Sequence, residues 1–331
     1  NLVYIAAMGR RGSGGQRGIY KTTDGGKTFE RVLSAGERTA FVDLVIDPNE
    51  RNRLYASAWD RSGNKSGVFR SDDQGKSWKR LGGGLPDEQI DRVAIAVSSS
   101  RPGVLYALMA DRSSPNLRRR GNAALLFRSD DYGENWKRAH ADYVPTYVGW
   151  DFCDLRVAPD DADQVYVGGL RLIYSKDGGK SFERDGGWTT RQSREHVFRL
   201  HAHRGIGMHL DVHDIWIDPE HPDRVLLGND GGLYVSQDRG ETWLHLNNLP
   251  IAEFYRIHLD DQKPFHIWGG TQDNASFVGP STARFETGAD DDWKHVFLDR
   301  WAGGDGFSTF PDPNDPASVY YTQQHGGMSR S

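Results

Sequence analysis

The stretch HLDVHDIWIDPEHPDRVLLGNDGGLYVSQDRGETW (residues 209–243) contains the unit from which this chain is built. Leu210, Val212, Ile215 and Ile217 stand among polar partners and predict a first strand. Asp218-Pro219-Glu220-His221-Pro222 predicts a turn. A second apolar run at 224–227 stops at Gly228-Asn229-Asp230-Gly231-Gly232, and a third strand at 233–236 enters SQDRGETW.

That last octet belongs to a pattern, Ser/Thr-x-Asp-x-Gly-x-(Thr/Ser/Asn)-(Trp/Phe), which occurs five times. The copies are TTDGGKTF (22–29), SDDQGKSW (71–78), SDDYGENW (129–136), SKDGGKSF (175–182) and SQDRGETW (236–243). Their aspartates, Asp24, Asp73, Asp131, Asp177 and Asp238, are separated by 49, 58, 46 and 61 residues. A period near fifty with several short strands in each unit points to a propeller or a related array. The carboxylate can accept turn amides, glycine supplies a positive φ, and the terminal aromatic can pack between sheets. The five aspartates are therefore expected to be turn staples.

Each octet follows a strand (GIYKTT, GVFRSD, LLFRSD, LIYSKD, GLYVSQ), and an apolar strand precedes that one. Earlier again comes a strand ending in a polar turn: DLVIDPNE, AIAVSSSR, DLRVAPDD, DIWIDPEH. Each unit thus reads as an A–B–C–D antiparallel blade. Two further units, from Phe254 and from Gly306, lack a clear octet, and the first unit lacks its A strand. The expected fold is all-β, a β-propeller of about seven four-stranded blades with Asp-box C–D turns. It is expected to fill residues 1–331 as a single propeller cut at both ends, with a second propeller possible beyond.

A net charge of −5 and a pI near 6.2 do not suit a nucleic-acid binder. Cys153 stands alone, so no internal disulfide can form. No apolar run approaches the ~18 residues of a membrane span. The basic run Arg118-Arg119-Arg120 is short and isolated, as a solvated loop would be.

In such a blade the A–B and C–D turns share one end, and the B–C and D–A loops share the other. The second end collects the irregular loops, where binding and catalytic residues concentrate. Aligned A strands place Asp43, Ala94, Asp154, Asp214, Arg256 and Ser308 in one register. Three residues earlier stand Ala40, Asp91, Asp151, Asp211, Glu253 and Asp305, an acidic ring at the expected channel mouth. Such a ring suits a polar ligand, a divalent cation or a carboxylate pair with separated pKa values. No cofactor is otherwise called for. The B–C loops GNDGG, GGTQDN and QQHGG (228–232, 269–274, 323–327) combine glycine with polar side chains, which lets a backbone approach a ligand.

The long connection 185–208 carries Trp188, Arg191, Arg194, His196, Arg199, His201, His203 and Arg204. It leads into His209-x-Asp211-x-His213, which alternation puts on one strand face. Nothing shows that His196, His201 or His203 folds back to complete a metal site. A ligand-binding loop is the preferred reading. Arg300 and Trp301 add a pairing common in sugar clefts.

On these octets and strands the chain resembles the Asp-box (bacterial neuraminidase repeat) propeller superfamily. The nearest likeness is to bacterial glycosyl-hydrolase-like and sortilin-like repeat proteins. Photosystem II assembly factors and xyloglucanase-type hydrolases look more distantly similar. Phe254-Tyr255-Arg256-Ile257-His258 lacks the proline of the sialidase motif, and no arginine triad stands out. Asp230-Gly231-Gly232-Leu233-Tyr234 is similar to the Asp-x-Gly-Gly-x-Tyr loop of xyloglucanases but one residue shorter. The resemblance implies an extracellular or periplasmic location.

Two functions follow. The first is a binding module or scaffold for a protein, peptide or glycan, with His209, His213, Asp151, Glu253, Trp188, Trp301, Arg300 and Asn274 as ligand contacts. The second is an inverting glycoside hydrolase, with Asp211 or Asp305 as acid and Asp230 or Asp273 as base. Its two carboxyl groups would stand about 6.5–9.5 Å apart.

Overall fold

A computed structural model describes residues 2–10, 15–61, 65–113, 123–149, 152–184, 208–246, 251–284, 292–296 and 304–330. Apart from one 3₁₀ turn at Gln324–Gly326, its regular structure is β. The first sheet holds β1 (Val3–Ala7), β2 (Gly18–Thr22) and β3 (Glu30–Leu33). The second holds β4 (Ala40–Ile46), β5 (Leu54–Trp59), β6 (Gly67–Ser71) and β7 (Lys79–Arg80). β8 (Ile90–Val97), β9 (Leu105–Asp111), β10 (Ala123–Ser129) and β11 (Lys137–Arg138) form the third. β12 (Asp154–Val157), β13 (Val165–Gly168), β14 (Leu172–Ser175) and β15 (Glu183–Arg184) form the fourth. β16 (Val212–Ile217), β17 (Val225–Asn229), β18 (Gly232–Ser236) and β19 (Leu244–His245) form the fifth. Each is antiparallel in chain order, as the repeat predicts.

The last two units depart from that scheme. β20 (Phe254–Leu259), β21 (His266–Thr271), β22 (Asn274–Pro280) and β23 (Lys294–His295) make one antiparallel set. β24 (Gly304–Asp312), β25 (Asp315–Gln323) and β26 (Met328–Arg330) make another. A two-residue parallel bridge, Asn274↔Gly304 and Ala275↔Asp305, fuses them into one sheet. Glycine permits it: a Cβ on Gly306 would lie 2.1 Å from the Ala275 carbonyl oxygen.

The chain divides into two compact units. One comprises Asn1–Asp185, Leu210–Asn229 and Val235–Thr242; the other comprises Gly186–His209, Asp230–Tyr234 and Trp243–Ser331. In the first, the core lies between successive sheets, and strand alternation feeds both faces. Leu105, Ala107 and Met109 of β9 pack with Tyr55 and Val68 of the second sheet. Tyr106 and Leu108 pack with Leu155, Val165 and Ile173 of the fourth. All seven residues of β9 are buried, which is why B strands read as unbroken apolar runs. The inner strands β4, β8, β12 and β16 neighbour one another in that order.

All five octets close the same turn. The leading Ser or Thr hydroxyl donates to Asp Oδ1 at 2.7–2.8 Å. The amide four residues after the aspartate's leading hydroxyl donates to that hydroxyl at 2.8–3.0 Å. The amide four residues after Asp donates to Oδ1 at 2.8–3.0 Å. The side chain of that same residue donates to Oδ2. These donors hold the carboxylates low: the hydroxyl and amide of Ser77 bring Asp73 to about 2.

Two octet aromatics pack toward the preceding sheet, Trp78 beside Ile19 and Trp136 beside Leu81 and Val68. Phe29 has no described sheet before it and stays 45% exposed, unlike the buried aromatic its octet predicts. In the opposite direction, Tyr4, Tyr55 and Tyr166 donate hydroxyl hydrogens to the octet carbonyls of Gln74, Tyr132 and Arg239 in the next sheet.

Candidate functional site

The loop end of the second unit gathers six of the expected site residues. Asn274 Nδ2 donates to the Asp230 carbonyl at 2.7 Å, tying loop 228–232 to loop 269–274. His209, 7% exposed, places Nε2 3.3 Å from the Asp273 carbonyl, and its amide donates to the Tyr234 hydroxyl. The Asp273 amide donates to Asp305 Oδ1, and Gln324 Nε2 donates to Asp305 Oδ2, each at 2.9 Å. The Gln272 backbone N–H donates to the Glu253 carbonyl at 3.0 Å. His245 Nε2 lies 2.9 Å from the Gly231 carbonyl with its ring stacked 4.4 Å from Tyr234, and burial lowers its pKa.

Local backbone explains this convergence. Asp273 and Ala275 adopt φ of 56° and 59°, which turns β21 sharply into β22 and aims the Asp273 amide at Asp305. Gly231 and Gly270 serve close contacts, whereas a Cβ on Gly228 or Gly326 would meet open space. A Cβ on Gly231 would meet His209 at 2.5 Å, and one on Gly270 would meet Gly306 at 2.2 Å. A cavity of about 10 Å³ beside Asp305, Gly306 and Tyr321 has room for a single water.

Sequence reasoning missed Tyr255 at this end. It stacks on Phe307 at 4.8 Å and is 41% exposed. Burial and then the charges of Asp305, Asp273 and Glu253 raise its hydroxyl pKa, so three expected site carboxylates act on one exposed phenol. Its place after Phe254 in the sialidase-like string was the only signal.

Ahead of β16 the expected alternation of His209, Asp211 and His213 is absent. β16 begins at Val212, and Asp211 ahead of it has φ +64°, donating its amide to Leu170. A left-handed residue resets side-chain direction, so a period of two cannot be carried through it. His213 falls where the β16–β17 register shifts, and it is exposed with its ring 6.1 Å from Phe152. Asp91 accepts the indole N–H of Trp59.

The other aligned column is structural in a way its register did not reveal. Asp43 Oδ2 accepts the Ile95 amide, and Asp154 Oδ2 accepts the Ile215 amide, each at 2.9 Å and each in the next inner strand. Burial raises both carboxyls, Asp154 to about 7. Asp151, Trp188, Arg300 and Trp301 lie outside the described residues, as do Arg118–Arg120, His196, His201 and His203. Among the described residues no group of three or more His, Cys, Asp or Glu is arranged to hold a metal ion. No helix among them is long and apolar enough to cross a membrane.

Family models described as BNR-Asp box repeat and BNR/Asp-box repeat match residues 126–138 and 69–80. Sortilin from Danio rerio is 25% identical over 250 residues, 73% of this chain and 26% of that protein. A xyloglucanase from Hypocrea jecorina is 33% identical over 89 residues, 27% of this chain and 10% of that protein. The solved GH74 enzyme of Niastella koreensis superposes with a TM-score of 0.59 at 16% identity, over 95% of this chain and 47% of that one. That likeness concerns the fold, a β-propeller-like array. The chain spans 26% and 10% of the lengths of these two curated relatives.

Proposed function

For a chain of the BNR/Asp-box repeat superfamily, we propose an exported β-propeller module of about seven blades that binds a protein, peptide or glycan at its loop end. The observation that carries this reading is the hydrogen-bonded chain from Asp230 through Asn274 and Asp273 to Asp305 and Gln324. Side-chain and backbone donors lock three loops together before any ligand arrives, and such pre-organisation lowers the entropic cost of binding. Tyr255 and the exposed Glu253 then present an aromatic and a charged contact to the ligand. Asp151, Trp188, Arg300 and Trp301 are proposed as further contacts, with no cofactor required.

Asp305 argues for binding over hydrolysis, because each of its oxygens already accepts a hydrogen bond from the neighbouring loops. An inverting hydrolase needs an acid and a base left open to substrate and water.

The test is a binding screen of peptides and soluble plant and microbial polysaccharides by calorimetry, with reducing-end release followed in the same samples. Asn274→Ala is expected to weaken the selected ligand about tenfold or more, from loss of loop order. EDTA treatment is expected to leave binding unchanged. Glycan release that disappears in Asp230→Asn or Asp273→Asn would replace the binding reading with the inverting hydrolase.

A further inference from the structure

Inner strands β12 and β16 are joined by side chains that imitate a strand pairing. Asp154 Oδ2 accepts the Ile215 N–H at 2.9 Å, and Arg156 Nε donates to the Ile215 carbonyl at 2.8 Å. Side chains two residues apart on one side of β12 thus hold both backbone polar groups of a single residue. At β4–β8 the corresponding Asp43 accepts the Ile95 amide of the next inner strand, and Ala94 occupies the same register in β8.

A second carboxylate competes for the same partners. Arg156 forms an ion pair with Asp154 and donates Nη2 to Asp214 Oδ1 at 2.8 Å. Asp214 Oδ1 also lies 3.0 Å from the Ile215 nitrogen. The Asp154 side chain is 11% exposed and the Asp214 side chain 74% exposed. The charged groups facing Asp154 are Arg156 on its own strand, Asp214 from β16 and Asp43 from β4. Arg92 and Asp91 of β8 face the adjoining Cys153, and His213 neighbours Asp214 on β16.

We infer that this network is a proton-operated joint between β12 and β16. When the buried Asp154 carboxylate takes up one solvent proton, it loses its charge, and the Ile215 N–H and the Arg156 guanidinium, shared until then by two carboxylates, are left to Asp214. The start of β16, with Asp211 just ahead of it and His213 within it, moves with that transfer. Burial sets the working range by raising the Asp154 carboxyl to about 7, so the joint changes state near neutrality. The joint lies wholly within the first unit and is independent of the binding proposal.

The test is the pH dependence of the Ile215 amide resonance and of the Asp154 side-chain carboxyl carbon, between about pH 5 and about pH 9. Both are expected to titrate together in the native sequence, with a midpoint near that of the buried acid. Asp154→Asn, which copies the neutral acid in size, is expected to flatten the Ile215 curve. Asp214→Asn is expected to keep the midpoint and at least halve the Ile215 amplitude. An Ile215 amide flat across the range in the native protein overturns the inference. So does an unchanged curve in Asp154→Asn, which would assign the titration to His213. If Asp154→Asn fails to fold, the native carboxyl curve decides: a midpoint below about 5 overturns the joint.

Discussion

Two sets of aspartates in the first unit do opposite things with the same side chain. Those of the octets sit in exposed turns and accept donors no more than four residues away. Asp43, half-buried, and Asp154, buried, accept amides 52 and 61 residues away, in another sheet. Local donors draw the octet carboxyls down, whereas burial pushes the inner pair up. A repeat can therefore carry one residue type in two columns with opposed responses to pH.

The largest effect expected from that contrast is in stability against pH. Burial pushes the Asp154 carboxyl from its ordinary 3.8 up to about 7 in the folded protein. The folded state therefore binds the extra proton in that window, and stability declines as pH rises from about 4 through about 7. A shift of this size corresponds to on the order of 4 kcal/mol when fully expressed. The pH dependence of denaturant unfolding is expected to be flatter in Asp154→Asn than in the native protein between about pH 4.5 and about pH 7; equal slopes would erase the contrast. The octets run the other way. Asp73 and Asp177 have folded values of about 2, so their contribution is present above about 4 and fades as pH falls through about 2.

Within the octets, Trp136→Ala is expected to cost about 3–4 kcal/mol, since the indole is 5% exposed between two sheets. Phe29→Ala is expected to cost under about 0.5 kcal/mol, at an exposed site. Comparable losses would mean that the direction of packing does not matter. Asp177→Ala, which frees the Ser175 and Ser181 hydroxyls and the Ser181 amide, is expected to cost about 1 kcal/mol by thermal unfolding. The smallest change is a gain. Gln74 holds φ +59° where the first and fourth octets carry glycine, so Gln74→Gly is expected to stabilise by about 0.5 kcal/mol.

The legible parts of this molecule are those whose physics closes locally. An octet completes its hydrogen bonds within eight residues, and a B strand packed on both faces must be apolar throughout, so TTDGGKTF and LYALMAD declare themselves. The column of Asp43 and Asp154 was equally visible as a register. Its meaning was not, because a carboxylate at a strand start looks the same whether it meets water or a distant amide. Alternation failed at His209-x-Asp211-x-His213 because one left-handed residue intervenes. The glycines of GGTQDN were noticed, but Gly270 accommodates the backbone of β24 rather than a ligand. At the loop end the sequence supplied the residues Asp230, Asp273, Asn274 and Asp305, and the fold supplied their wiring.

Trp78 and Trp136 reach back to the sheet before them, while the tyrosine hydroxyls reach forward to the sheet after. During synthesis the two directions differ in timing. An emerging sheet delivers its indole to a neighbour already outside the ribosome, and so seals the joint behind it at once. The forward tyrosine waits, its hydroxyl in water, until the next octet arrives to accept it. Assembly in the order of synthesis therefore leaves a single open seam at the growing end, an apolar sheet face whose forward tyrosine still lacks its acceptor.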